Sequence, residues 1–148
     1  MEGNMGEKIL LLLAGLPRSG KSTWAIRQGL PIVNRDAIRL AVHGVPYIQA
    51  TEPMIGVIEE YMVKSLFLAG NFTVVVDATH VSEKRRKRWK YIAEDCDVSL
   101  RIKVFPVPKD ECVLRAKNDG REDLVPVIER MADNWDLDEC DIPEYSDE

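Results

Sequence analysis

Gly15-Leu16-Pro17-Arg18-Ser19-Gly20-Lys21-Ser22-Thr23 follows a continuous apolar run, Ile9 to Ala14, and fits the pattern Gly-x-x-x-x-Gly-Lys-Ser/Thr. A strand that feeds such a loop is built to hold phosphate. The glycines let the backbone turn tightly and aim successive N–H groups at phosphate oxygens, and the helix that begins there presents its positive dipole end. In this reading Lys21 reaches the β- and γ-phosphates and Ser22 ligates Mg²⁺. Gly15, Pro17, Arg18, Ser19, Gly20 and Thr23 complete the nucleotide-binding surface, with ATP or another NTP as the expected ligand. A strand-to-helix turn that binds nothing would leave the Lys-Ser pair without a use.

The run before the loop, Lys8 to Ala14, is apolar at almost every position, which predicts a strand buried on both faces of a parallel sheet. After the loop, Lys21 to Gln28 predicts a helix stopped by Gly29 and Pro31, and Pro31 to Val33 a short strand. Asn34-Arg35-Asp36-Ala37-Ile38-Arg39 opens a second helix that ends near Gly44, with Asp36 and Arg39 on one face. Val45 to Glu52 has no clear period and predicts a surface loop. Met54, Val57, Ile58, Tyr61, Met62 and Leu66 then give a helical stripe, ending at Gly70-Asn71. Thr73 to Asp77 predicts a strand that ends in a carboxylate, and Ser82 an N-cap for a helix to Cys96. Val98 to Phe105 alternates as a strand, Lys109 to Asn118 is helical, and Val125 to Asn134 is a last helix with Pro126 in its first turn.

Strands alternating with helices at this spacing predict an α/β domain with a mainly parallel sheet, whose ligands bind beyond the carboxyl ends of the strands. The loop, Asp36 and Asp77 all follow directly on strand ends, so they share one rim. There Asp36 either orients an attacking hydroxyl and takes its proton, or caps its helix. Arg39 either grips a substrate phosphate bidentately or pairs with Asp36. Asp77 either holds Mg²⁺, as a Walker B carboxylate does, or anchors Arg39. Thr79 and His80 are further candidate substrate contacts. Arg115, Lys117 and Arg121 cluster around a turn at Asn118-Asp119-Gly120 and form either a lid over phosphates or a solvated helix end.

The 148 residues allow one domain with its own core. Three cysteines at wide spacing form no metal or redox motif and fit a reducing cytoplasm. The apolar run is broken by Gly15 and Pro17 well before it could span a bilayer, and Met1-Glu2-Gly3 does not open a signal peptide, so no membrane partner is expected. The net charge of −5 is unevenly placed: eight acidic residues and no Lys or Arg follow from Asp133, leaving +3 on residues 1–132. That acidic end reads as a solvated tail. Lys84-Arg85-Arg86-Lys87-Arg88-Trp89-Lys90 reads as a helix with Trp89, Ile92, Ala93 and Cys96 inward and most basic residues outward, either as solvated surface or to attract a phosphate backbone.

With these residues in place, the chain resembles the P-loop kinase domain of phage-type polynucleotide 5′-hydroxyl kinases from Lys8 to about Met131. The likeness is carried by Gly15 to Ala25, by Asn34-Arg35-Asp36-Ala37-Ile38-Arg39, by Asp77 to Thr79, by Val104 to Pro108 ahead of the lid helix, and by Val125-Pro126. It implies a P-loop NTPase/kinase fold of about four parallel strands flanked by helices. Together with the charge pattern, this divides the chain into a P-loop kinase domain over 1–134 and an acidic tail over 135–148. Lys21 and Ser22 would bind donor phosphates and Mg²⁺, Asp36 would be the general base, Arg39 would hold the acceptor phosphate, Asp77 would serve the site, and Arg121 with Arg115 would be the lid arginines. Arg18 departs from the family, which usually has glycine there.

The reaction so implied is ATP-dependent phosphorylation of a 5′-hydroxyl on DNA or RNA. A second reading keeps the chemistry and moves it to a hydroxymethylated pyrimidine, such as 5-hydroxymethyluracil in DNA, or to a small-molecule hydroxyl. A third is a nucleotide-dependent binding protein with little transfer activity.

Overall fold

The computed structural model describes residues 7–45 and 47–146; Met1-Glu2-Gly3, position 46 of the expected surface loop and positions 147–148 of the expected tail lie outside the described residues. The elements run β1 (Ile9–Gly15), α1 (Lys21–Gln28), β2 (Ile32–Asn34), α2 (Arg35–His43), α3 (Glu52–Leu68), β3 (Thr73–Asp77), α4 (Glu83–Cys96), β4 (Ser99–Phe105), α5 (Lys109–Asn118) and α6 (Val125–Asp133). Four parallel strands form one sheet in the order β2-β3-β1-β4, flanked by these six helices. This is the α/β P-loop kinase architecture that the sequence implies.

β1 is central, and Leu10 to Ala14 are fully buried because helices cover both faces. Side chains alternate across a strand, so Leu10, Leu12 and Ala14 join Val74, Val76, Ile55, Val63, Trp89 and Ile92 in the core under α3 and α4. Leu11 and Leu13 face the other way, onto Val75 and Ala25 of α1. A third cluster, Leu16, Cys112, Ala116 and Ile128, packs the start of the loop against α5 and α6. The loop is therefore clamped between two layers, and its position is set by the core rather than by its own residues.

Strand register assembles the rim. Asn34, the last residue of β2, lies opposite Asp77, the last of β3, and Leu13 of β1 lies on Asp77's other side. Asn34 also caps α2, its Oδ1 accepting from the Ala37 N–H at 2.7 Å. That removes the capping alternative for Asp36, which sits inside the first turn of α2. A carboxylate there is favoured by the helix dipole. α3 begins at Glu52, so the end of the expected surface loop is helical, and a short 3₁₀ turn occupies Gln49–Thr51.

Two expectations are corrected by packing. The acidic end is not a solvated tail over its described length: Leu137 and Ile142 are buried, and Trp135 and Cys140 pack on the main core. Residues 143–145 add a parallel bridge to β4, with Ile102 N–H donating to Pro143 O at 3.0 Å and Tyr145 N–H to Ile102 O at 2.8 Å. The apolar residues between the carboxylates drive this, while Asp138, Glu139, Asp141 and Glu144 stay exposed. Asp136 points inward, accepting from Arg86 Nη2 at 2.7 Å and from the Glu83 N–H at 2.8 Å. It does the capping for α4 that Ser82 was expected to do, since the Ser82 side chain makes no capping bond. The second correction follows: Arg86 is buried and Arg88 half-buried, both in ion pairs, leaving Lys84, Arg85 and Lys87 exposed on that helix.

Candidate active site

Gly15 ends β1 where a Cβ would lie 2.8 Å from both Phe105 O and Ser19 Oγ, so only glycine lets the loop leave the sheet there. Gly20 enters α1 with φ +97°. Lys21 folds back over the loop and donates from Nζ to Leu16 O at 2.8 Å, Gly15 O at 3.1 Å and Ser19 Oγ at 3.4 Å. Burial pushes its pKa down to about 8, opposed by the charge of Asp77. Beside it opens a cavity of about 430 Å³ at the N-terminus of α1, lined by Arg18, Gly20, Lys21, Ser22, Thr23, Arg115, Asn118 and Asp119. A buried lysine above an N-terminal ring of backbone N–H groups suits a polyphosphate, because both supply positive charge in a partly dehydrated place.

Ser22 Oγ donates to Asp77 Oδ2 at 2.6 Å, and Asn34 Nδ2 donates to the same oxygen at 3.0 Å. The alternative in which Asp77 anchors Arg39 is thereby corrected: Asp77 turns to Ser22, and Arg39 pairs elsewhere. A hydroxyl and a carboxylate in contact form an all-oxygen donor pair of the kind Mg²⁺ takes.

On α2, Arg39 Nη1 donates to Asp36 Oδ1 at 2.6 Å, while Nε and Nη2 donate to Glu52 Oε2 and Oε1 at 2.9 and 2.6 Å. Glu52 raises the Arg39 pKa, chiefly through these bonds, and Arg39 lowers that of Glu52 in return. Arg35 bridges Glu52 to the buried Glu59, donating to Glu59 Oε1 at 2.6 Å, and Arg88 donates to the same oxygen at 2.9 Å. The Asp36 carboxylate itself is 80% exposed on the rim.

The two arginines expected in a lid, Arg115 and Arg121, differ in their surroundings. Arg115 lines the cavity and donates from Nη1 to Arg18 O at 3.0 Å. Arg121 lies outside that lining, exposed and paired with Asp123 at 3.0 Å. Its pKa is raised, chiefly by the hydrogen bond and charge of Asp123. His80, expected near substrate, is buried instead, its Nδ1–H donating to Leu13 O at 2.7 Å, and burial drives its pKa down to about 4. Arg18 adopts φ +71°, the left-handed region where glycine is at ease, and its buried Nε has no hydrogen-bond partner.

The AAA domain family profile matches residues 10–134. The chain belongs to the AAA domain family. Among solved structures, this AAA-family domain is similar to a chain of the Pnkp1/Rnl/Hen1 complex, with 31% identity over 74% of its own length and a TM-score of 0.66. It is likewise similar to a chain of the Pnkp1/Rnl/Hen1 RNA repair complex, with 25% identity over 88% and a TM-score of 0.67. It spans 39% and 47% of those two chains, less than half of each. A gluconokinase from Sinorhizobium meliloti 1021 shares the fold, at 18% identity, 93% coverage of this domain and 80% of that chain, with a TM-score of 0.59. The AAA-family domain is thus a P-loop, polynucleotide-kinase-like domain with the fold of phosphotransferases and a nucleotide-binding loop.

Three residues of the site escape a reading of the chain in order. Asn34 lies in the quoted Asn-Arg-Asp stretch, and its preference for helix N-caps was the available signal. Glu52, 13 positions from Arg39, carries no short-range signal for its partners, and Glu59 lies on the buried α3 face of Ile55, Val63 and Phe67 rather than on the expected stripe, whose Met54, Val57 and Tyr61 are exposed.

Proposed function

We propose that this domain transfers the γ-phosphoryl group of ATP to a nucleic-acid hydroxyl, the 5′-hydroxyl end of a DNA or RNA strand. The observation that carries the reading is the pairing of Asp36 with Arg39, 2.6 Å apart, on the same rim as Ser22 and Asp77. A phosphate loop by itself binds a nucleotide; a base and a phosphate grip beside it supply an acceptor side.

Lys21 and the loop N–H groups bind the donor's β- and γ-phosphates, and Arg115 contributes a further donor from the lid. Ser22 and Asp77 are the oxygen ligands for Mg²⁺, which when bound offsets the negative charge of the phosphates. Arg39 holds the acceptor's own phosphate and thereby presents the hydroxyl beside Asp36. The hydroxyl proton passes to the Asp36 carboxylate as the acceptor oxygen bonds to the γ-phosphorus. The bond from γ-phosphorus to the bridging oxygen breaks, and ADP leaves with that electron pair. Positive charge from Lys21, Arg115 and Arg121 suits the charge that develops on the transferred group. The likeness to chains of an RNA repair complex supports a polynucleotide acceptor, and so does the mildly basic body of the domain.

The test is label transfer from γ-³²P-ATP to 5′-hydroxyl DNA and RNA oligonucleotides, to duplex DNA carrying 5-hydroxymethyluracil, and to gluconate and nucleosides. Label on an oligonucleotide end, lost in Asp36→Asn with ATP binding retained, is the expected result. Label only on the modified base or only on small molecules moves the acceptor, and ATP binding without transfer makes the domain a nucleotide-dependent binder.

A further inference from the structure

Arg39 is held from one side, and the side matters. A guanidinium carries five N–H groups arranged as forks. Glu52 takes the Nε–Nη2 fork with both of its oxygens, at 2.9 and 2.6 Å, which is the bidentate geometry that fixes the plane of the group. Asp36 takes one N–H of Nη1 at 2.6 Å. Nη1 and Nη2 carry two N–H groups each and make one of these contacts each, so one donor remains on either nitrogen of that fork.

Glu52 is in turn held in place. It begins α3, where the helix dipole favours a carboxylate. Its Oε1 accepts from Arg35 Nε and Nη2 at 3.3 and 3.2 Å. Arg35 is braced at its other end by the buried Glu59, which Arg88 of α4 also grips. A chain of alternating charges thus runs from α4 through α3 to α2 and ends at Arg39. All of these side chains except Asp36 are at most about one-third exposed.

We infer that Glu52 is a positioning residue for the acceptor: its two-oxygen grip orients Arg39 so that the remaining fork receives the acceptor's phosphate next to Asp36. This rests on the nucleic-acid kinase reading above. Without Glu52, Arg39 keeps its charge and loses its two-point hold, leaving one bond to Asp36 and the Tyr47 ring, whose centroid lies 5.5 Å from its Cζ and which fixes no rotation within the guanidinium plane. The loss falls on acceptors that carry a phosphate to be gripped.

The experiment compares kcat/KM for a nucleoside 3′-phosphate and for the same nucleoside without phosphate, in the parent and in Glu52→Gln. The parent prefers the phosphorylated acceptor, and Glu52→Gln narrows that preference about tenfold, through KM for the phosphorylated acceptor. Glu52→Asp, which keeps the charge but is shorter by one methylene, gives an intermediate preference and serves if the glutamine variant does not fold. A purely structural role lowers both acceptors together and leaves the ratio unchanged, which overturns the inference. A parent that labels neither acceptor, nor any oligonucleotide end, overturns the kinase reading and this inference with it. A parent that shows the preference, with variants that keep it, overturns the inference alone.

Discussion

Replacing Lys21 with methionine should make the protein more stable and unable to respond to ATP. Burial disfavours the ammonium, so the folded pKa of about 8 lies below the ordinary 10.5, while the neutral amine is unaffected. Between those two pH values the unfolded chain binds more protons than the folded one, so stability rises with pH across the window. Below about pH 8 the folded state carries the full penalty. At about 1.4 kcal/mol per pH unit the penalty is about 3.5 kcal/mol, and losing the two bonds to Leu16 O and Gly15 O takes back roughly 1.5 kcal/mol. A net gain of about 2 kcal/mol for Lys21→Met at pH 7 is expected, fading as pH rises from 8 to 10.5. Urea unfolding of both proteins at several pH values measures it. ATP with Mg²⁺ should raise the parent's midpoint and leave that of Lys21→Met almost unchanged. If Lys21→Met is less stable than the parent at pH 7, or differs from it equally at all pH values, the lysine is not strained by burial and the reasoning fails.

Other expectations follow from single contacts. Asp136→Ala leaves the buried Arg86 guanidinium without its carboxylate and uncaps α4, and should cost about 2–3 kcal/mol in chemical denaturation; a loss below about 0.5 kcal/mol would mean that the C-terminal segment does not hold Arg86. At position 18, where φ is +71°, Arg18→Gly should be more stable than Arg18→Ala by about 1 kcal/mol, since both remove the side chain and only glycine relaxes the backbone; equal stabilities would argue against the left-handed loop. His80 is neutral in the folded protein down to about pH 4, against 6.5 when exposed, so the unfolded state takes up the proton first and stability falls on acidification between those values. His80→Phe should flatten that part of the pH–stability curve, and an unchanged slope would assign the acid sensitivity to other groups.

Most of the fold was legible because its determinants are local. The run Leu10 to Ala14 needs two covered faces, Val74 to Val76 needs the same, and glycines close the helices between them. The rim followed from strand ends alone. What escaped were contacts made by charged side chains across long sequence separations. Asp136 sits in a run of carboxylates that looks solvated, and nothing near it announces a buried arginine 50 positions earlier. Glu52 was read into a loop, although its two arginine partners lie on the neighbouring helix. Arg86 and Arg88 turn inward among exposed basic neighbours, and the spacing of apolar residues on α4 says little about the direction of such long amphipathic side chains. His80 follows a site carboxylate in sequence, but its backbone, at φ +46°, turns the ring under β1.

The strand that residues 143–145 add beside β4 bears on how the protein behaves in a crowded solution. An open sheet has two edges, each a row of unpaired backbone groups on which a foreign strand can polymerise. At one edge the partial pairing at Ile102 blocks the register on which an intruder would dock. At the other, β2 is only three residues long and turns at once into α2, so it offers too few groups to template a partner. Loosening residues 143–145 would leave the β4 edge unpaired at Ile102 as well, and aggregation rather than lost phosphate chemistry would be its first symptom.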